Sequence, residues 1–466
     1  MVSGPLVLPS VLDVLKPAVG PSSSHTLGPM RAGRAFRERL LAEPEHEPGD
    51  RISVTLYGSL AHTGKGHLTD LALVAGLCGY GPEDFVDRSM QSVYEEIEAT
   101  GVILFPGFGL VFRPGSDIAF DTKTPPEPHP NTLRFALHDR TGRIRRSTVF
   151  CSVGGGLVVE AANLGRIENA VEARRTSARE IVRFCTSSGR SLVEYAAEME
   201  QSAYGHARAE LLDYLHTIWG LMRRAIERGL ETRGPLPGSL GVERRAHDLW
   251  VRWRERNHAT VISAESTRAS VYAIAAAEEN ADGGAVVTAP TCGAAGVVPA
   301  CLRVMQESQG LSDEDIVEAL WVAGVVGGLA IAKASIAGAL VGCQGEIGVA
   351  SAMAAAAVCY LLGGSVADQI DRAAETALEH FLGLTCDPVA GLVQIPCIER
   401  NAAGAASALN AANLAMLSGG RDRVSFDATL EVMHQTGLDL RSRYKETSLG
   451  GLAAVPDLDR DGIPDL

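Results

Sequence analysis

The spacing of apolar residues changes partway along the chain, and that change constrains the fold more than any other feature. Before about Glu160, short β-rich runs such as "RISVTLYGSL" (51–60) and "STVFCSVGGGLVVEA" (147–161) are interspersed with helical stretches such as "GPMRAGRAFRERLLAE" (28–43). Alternation of period two marks half-buried strands, whereas apolar residues three or four apart mark one face of a helix. From about Ser177 only the helical spacing persists, as in "ARAELLDYLHTIWGLMRRAIERGL" (207–230). One core rarely serves 466 residues, so a division is expected. It falls between an α+β domain, residues 1–165, and an all-helical domain, residues 166–466. The Gly- and Pro-rich stretch Glu231–His247 reads as an ordered connection inside the helical half.

Composition removes several classes of function. With 46% hydrophobic and 21% charged residues the chain is not disordered, and 50 glycines with only 5% aromatics favour closely packed helices. A net charge of −14 offers no basic footprint for nucleic acid or an anionic membrane, so neither is expected as a partner. The most apolar run, "ALWVAGVVGGLAIA" (319–332), is 14 residues long and followed by Lys333, which suits a buried core helix better than a membrane span. The first twenty residues lack a basic start and a small-residue cleavage site, so a cytoplasmic protein is expected. There, nine cysteines should be mostly free thiols, with a few bound to metal.

Three loops and three cysteines could carry chemistry. "GPSSSHTLGPM" sets Ser22, Ser23, Ser24 and His25 at the start of a helix, where hydroxyls and N–H groups can receive a carboxylate or phosphate; an ordinary serine N-cap reads equally well. "YGSLAHTGKGHLTD" places Lys65 and His67 between glycines after a strand, and "PPEPHPNTLRF" places His129 and Asn131 in a segment that is otherwise a turn. An imidazole near neutrality can move protons, and a lysine can fix an anion. Cys343 lies between glycines before an Ala-rich helix, and Cys386 and Cys397 are separated by ten residues without a histidine. Neither the close spacing of a zinc pair nor that of common iron-sulfur sets is present. Cys78, Cys185, Cys301 and Cys359 read as small apolar core residues. The tail places Asp457, Asp459 and Asp461 before Gly462, half of a calcium loop without its bidentate glutamate, and is read as a solvated acidic tail.

Taken together, "GPSSSHTLGPMRAG", "YGSLAHTGKGHLTD", "SVGGG", "GPLPGSL", "EENADGGAVVTAPTCGAAGVVPA", "GCQGEIG", "LGLTCDPVAGLVQIPCIERN" and "YKETSLGGLA" resemble, in order and over nearly the full length, the single-chain iron-sulfur-dependent L-serine dehydratases. The resemblance implies an N-terminal domain similar to the substrate-binding domain of some phosphoglycerate dehydrogenases, then an all-helical catalytic domain. It implies a 4Fe-4S cluster on Cys343, Cys386 and Cys397, whose open iron acts as a Lewis acid in converting L-serine to pyruvate and ammonia. His67 and His129 match family histidines and become the candidates for proton transfer, with His67 as base. Ser22, Ser23, Ser24, His25, Lys65 and Asn131 would hold the substrate carboxylate and amine. A homodimer is the expected assembly.

The chain departs from the family pattern at Lys333, Ala337, Leu340 and Phe381, where the family has asparagine, serine, glutamate and asparagine. These changes lie near cluster ligands in sequence and leave the substrate open: threonine, cysteine or another β-substituted amino acid competes with serine. A non-catalytic amino-acid sensor is a further reading. A pyridoxal phosphate lyase with Lys65 or Lys333 as its Schiff base would perform the same elimination.

Overall fold

The computed structural model of the protein describes residues 7–42, 46–86, 88–164, 176–255, 263–418 and 424–455. The boundary expected at 165/166 lies outside these residues, as do Asp457, Asp459 and Asp461.

The N-terminal domain is built on a seven-stranded mixed sheet. Seven of the nine strands among the described residues form it: β2 (Arg51–Tyr57), β3 (Val102–Phe105), β4 (Phe108–Val111), β5 (Ile118–Asp121), β6 (Thr132–His138), β7 (Ile144–Gly154) and β8 (Leu157–Glu160). The order is β3-β4-β2-β6-β7-β8, with β5 also pairing with β2. In β2 the period of two works as the sequence predicts. Ile52, Val54 and Leu56 point into a core shared with Phe36, Leu73 and Phe135, while the intervening residues face outward. Two helices, Gly28–Ala42 and Thr69–Leu77, cross at backbone contact. A Cβ on Gly76 would stand 1.9 Å from the Met30 carbonyl oxygen, so only glycine permits this crossing.

The second domain is helical but for one strand among the described residues, β9 (Ala285–Thr288), which pairs antiparallel with β1 (Lys16–Val19). The first described segment thus belongs physically with the helices. Leu8, Val11, Val14 and Leu15 pack in the helical core, and the Val11 N–H donates to Glu200 at 2.6 Å. At the centre lies the helix Ile347–Leu361, buried at every position from Ile347 to Cys359. Its alanines let Asp313–Lys333 and Cys397–Leu417 approach closely. The run 319–332 forms most of Asp313–Lys333, whose first turn is closed by a capping box between Ser312 and Asp315. That helix and Cys343–Leu361 have the length and hydropathy of a membrane span, yet 78% and 83% of their apolar windows are buried inside the protein. They are core helices.

Candidate active site between the domains

A cavity between the two domains collects Ser22 and His67 from the first, and Cys343, Cys386, Cys397, Glu346, Arg400 and Glu446 from the second.

Its N-terminal wall is made by short-range turns. The Ser22 hydroxyl caps the turn Ser23–Leu27 by accepting the His25 N–H at 3.2 Å, so the serine N-cap is real and also lines the cavity. Asn280, on the helix Ala264–Ala281, pins this loop by donating to the Pro21 carbonyl at 2.9 Å. Ser23 accepts the Cys292 N–H, and Ser24 contacts His25 Nδ1 at 2.9 Å. The His25 and His67 rings lie 4.6 Å apart. His67 Nδ1 donates to the Thr63 carbonyl at 2.9 Å, which leaves Nε2 as the acceptor. Burial, opposed by that hydrogen bond, lowers the His67 pKa to about 4, and burial together with His67 carries His25 well below the usual imidazole value. Both rings are neutral at pH 7.

The helical wall gathers acids. Cys343 sits in a turn before the helix Ile347–Leu361, Cys386 in an extended segment bridged to Lys445, and Cys397 at the first position of Cys397–Leu417. All three thiols are buried, and none of the nine cysteines forms a disulfide. Glu346 Oε2 lies 3.8 Å from Cys343 Sγ and 3.9 Å from Cys386 Sγ, with its other oxygen held by the Thr291 hydroxyl at 2.8 Å. A hydrogen bond with Cys343 and burial raise the Cys386 thiol well above its ordinary value; burial and Cys343 do the same to Cys397. Burial also raises Glu346, and burial with Glu346 nearby raises Glu446 to about 8. Burial would lower Arg400, but Cys343, Cys397 and Asp387 outweigh it and keep the guanidinium charged. Glu446 Oε1 lies 3.5 Å from His25 Nδ1 and links the two walls.

The donor chemistry fits an iron-sulfur group: three soft thiols converge on one buried space. A glycine stands behind them. A Cβ at Gly338 would come within 3.2 Å of Cys386 Sγ and 2.9 Å of Glu346 Oε2, so the backbone clears the space that a bulky group needs.

Other residues singled out from the sequence lie elsewhere. Lys65 is 69% exposed in its side chain and pairs with Asp70 at 2.5 Å. His129 lies outside the cavity lining, and its Nδ1 accepts the Asn131 N–H at 3.0 Å. Asn131 is buried behind Ser24, reached through Ser152, and its Oδ1 has no hydrogen-bond partner among the described residues. None of the four departures lines the cavity. Lys333 pairs with Asp427 at 2.8 Å, Ala337 packs by Gly154, Leu340 is half exposed, and Phe381 packs by Gly348. Glu346, Arg400 and Glu446 were not singled out from the sequence, although all three lie in its quoted motifs.

Residues 10–163 match the family model described as "Serine dehydratase beta chain", and residues 187–453 match "Serine dehydratase alpha chain". The chain is 42% identical over 454 residues to L-serine dehydratase TdcG of Escherichia coli (strain K12), covering 95% of this chain and 98% of that protein. Against the L-serine dehydratase of Haemophilus influenzae it is 41% identical over 456 residues, and against that of Streptomyces coelicolor 40% over 451, with the same coverage of both partners.

Proposed function

The chain belongs to the serine dehydratase family, and from that premise we propose that it eliminates water from L-serine, giving pyruvate and ammonia, with a 4Fe-4S cluster on Cys343, Cys386 and Cys397. The observation that carries this reading is the convergence of three thiols, from three separated segments, on one cavity with a neutral histidine opposite. When bound, such a cluster supplies an iron free of protein ligands that activates the β-hydroxyl as a leaving group.

The remaining work falls to side chains. Ser22 lines the cavity and receives the carboxylate, Ser23, Ser24 and His25 behind it hold the turn, and Arg400 brings a positive charge to the same cavity. Asn131, one layer behind the cavity, supports that turn through Ser152 and Ser24. His67 Nε2 takes the α-proton. Its depressed pKa keeps it neutral, and the arriving carboxylate raises its basicity. Loss of the proton and of water leaves an aminoacrylate, which becomes an imine and hydrolyses. Lys65 and His129, outside the cavity, carry no step. The pyridoxal phosphate reading has no support from Lys65 or Lys333, each of which is engaged by a carboxylate. The burial of both apolar helices accords with a cytoplasmic enzyme, and a homodimer remains part of this proposal.

A Mössbauer spectrum of iron-57-labelled protein, purified without oxygen and recorded with and without L-serine, tests the reading. A 4Fe-4S signal in which serine shifts one iron of four supports it. A chain without a cluster overturns the role of the three cysteines. A cluster that responds to threonine or cysteine but not serine moves the substrate, and ligand binding without product makes the protein a sensor.

A further inference from the structure

We propose that Cys343, Glu346 and Cys386 also form a mononuclear site for a borderline-soft divalent cation of the zinc class, with Glu346 as its oxygen ligand. The ligand atoms of these three residues lie within 4.8 Å of one another, and the two sulfur-to-oxygen separations are 3.8 and 3.9 Å. Zinc–sulfur bonds of about 2.3 Å and zinc–oxygen bonds of about 2.0–2.2 Å require tetrahedral edges of roughly 3.5–3.8 Å, so small side-chain movements close the site. The Thr291 hydroxyl on the other Glu346 oxygen fixes the carboxylate, as outer-sphere partners of metal ligands do. Cys397 or water takes the fourth position from the cavity side. Charge also balances: two thiolates and a carboxylate are neutralised by one dication and the Arg400 guanidinium in the same lining. Each thiol gives up its proton to solvent as the ion binds.

The consequence is competition. Zinc would hold two of the thiols that the proposed cluster needs, so a zinc-loaded chain resists iron loading; this consequence alone rests on the dehydratase reading.

The test uses the full-length chain, purified metal-free under argon and titrated with Zn²⁺ and with Co²⁺. One ion per chain is expected, with a thiolate-to-cobalt charge-transfer band and the intense visible bands of tetrahedral cobalt. Glu346→Gln should weaken zinc binding by about 10–100-fold, Cys386→Ser should weaken the charge-transfer band by the share of one thiolate, and Cys359→Ser, at a core thiol away from the cavity, should change neither. If Glu346→Gln loses the circular dichroism of the folded chain, Thr291→Ala takes its place, and weaker binding is again expected. Zinc affinity unchanged in the folded variant, or cobalt bound without the charge-transfer band, overturns the proposal. Iron and sulfide reconstitution separates the two readings. A chain that accepts four irons but no zinc overturns this inference alone, whereas one that binds zinc as described but never assembles a cluster sustains it and overturns the cluster.

Discussion

The two walls of the cavity are both buried, yet burial acts on them in opposite senses. The N-terminal wall is made of bases and hydroxyls, so burial lowers the pKa values of His25 and His67 and leaves the lone pair of His67 Nε2 open. The helical wall gathers acids around one guanidinium, so burial raises Cys386, Cys397, Glu346 and Glu446 and leaves protons to be displaced. The same desolvation therefore holds one wall unprotonated and the other protonated, so that a substrate charge is needed to raise the basicity of the first and a bound cation to displace protons from the second into solvent. Only the helical wall asks for a metal.

The largest effect should come from breaking the acid wall. Cys386→Ser is expected to lose the iron signal and all measurable pyruvate formation together, read by iron content and a lactate dehydrogenase-coupled assay. Breaking the base wall should separate those two readouts. His67→Ala is expected to lower kcat by about 10²–10⁴-fold, the usual contribution of a positioned base, with iron content unchanged. Loss of iron along with activity would show that the walls are not independent.

The contrast also has a pH signature. His67 titrates near 6.5 when unfolded and about 4 when folded, so below pH 6.5 the unfolded chain binds the extra proton. Its contribution to stability is complete above pH 6.5 and falls by about 3 kcal/mol as pH drops to 4. Urea unfolding of wild type and His67→Asn across that range should show a flatter acid limb in the variant; parallel limbs would refute the assignment.

Smaller effects lie away from the cavity. Gly76→Ala would force the two helices of the N-terminal domain apart and should cost about 1–3 kcal/mol in thermal unfolding, by the ordinary penalty of overpacking. Lys333→Asn, which restores the family residue, removes a partly exposed ion pair with Asp427 and should cost about 1 kcal/mol or less, with activity unaltered. A large change in activity there would mean that the departures reach the cavity after all.

Much of this protein was legible in its residues because local patterns carry it. The alternation in Arg51–Tyr57, the helical spacing after Ser177 and the capping serine at position 22 depend on neighbours a few residues away. The three cysteines were legible in a different way. Their spacing alone does not suggest a shared site, and it was the resemblance that grouped them. Lys65 shows the limit of local reasoning. A lysine between glycines after a strand suits an anion site equally well, but Asp70 five residues on is near enough to claim it.

Direction is what a linear pattern does not contain. Glu346, Arg400 and Glu446 look like ordinary charged residues in their motifs, and nothing nearby in the chain says whether they face water or a cavity. Their place was decided by the packing of an alanine-rich helix that turns Glu346 toward two sulfurs, and by a C-terminal segment that returns to bridge Cys386. The sequence by itself determined the two architectures and the supply of thiols, hydroxyls and imidazoles, because those follow from local periodicity and residue chemistry. Only the tertiary structure decided which acids meet which bases across the cavity, because that depends on contacts hundreds of residues apart and on the desolvation those contacts impose.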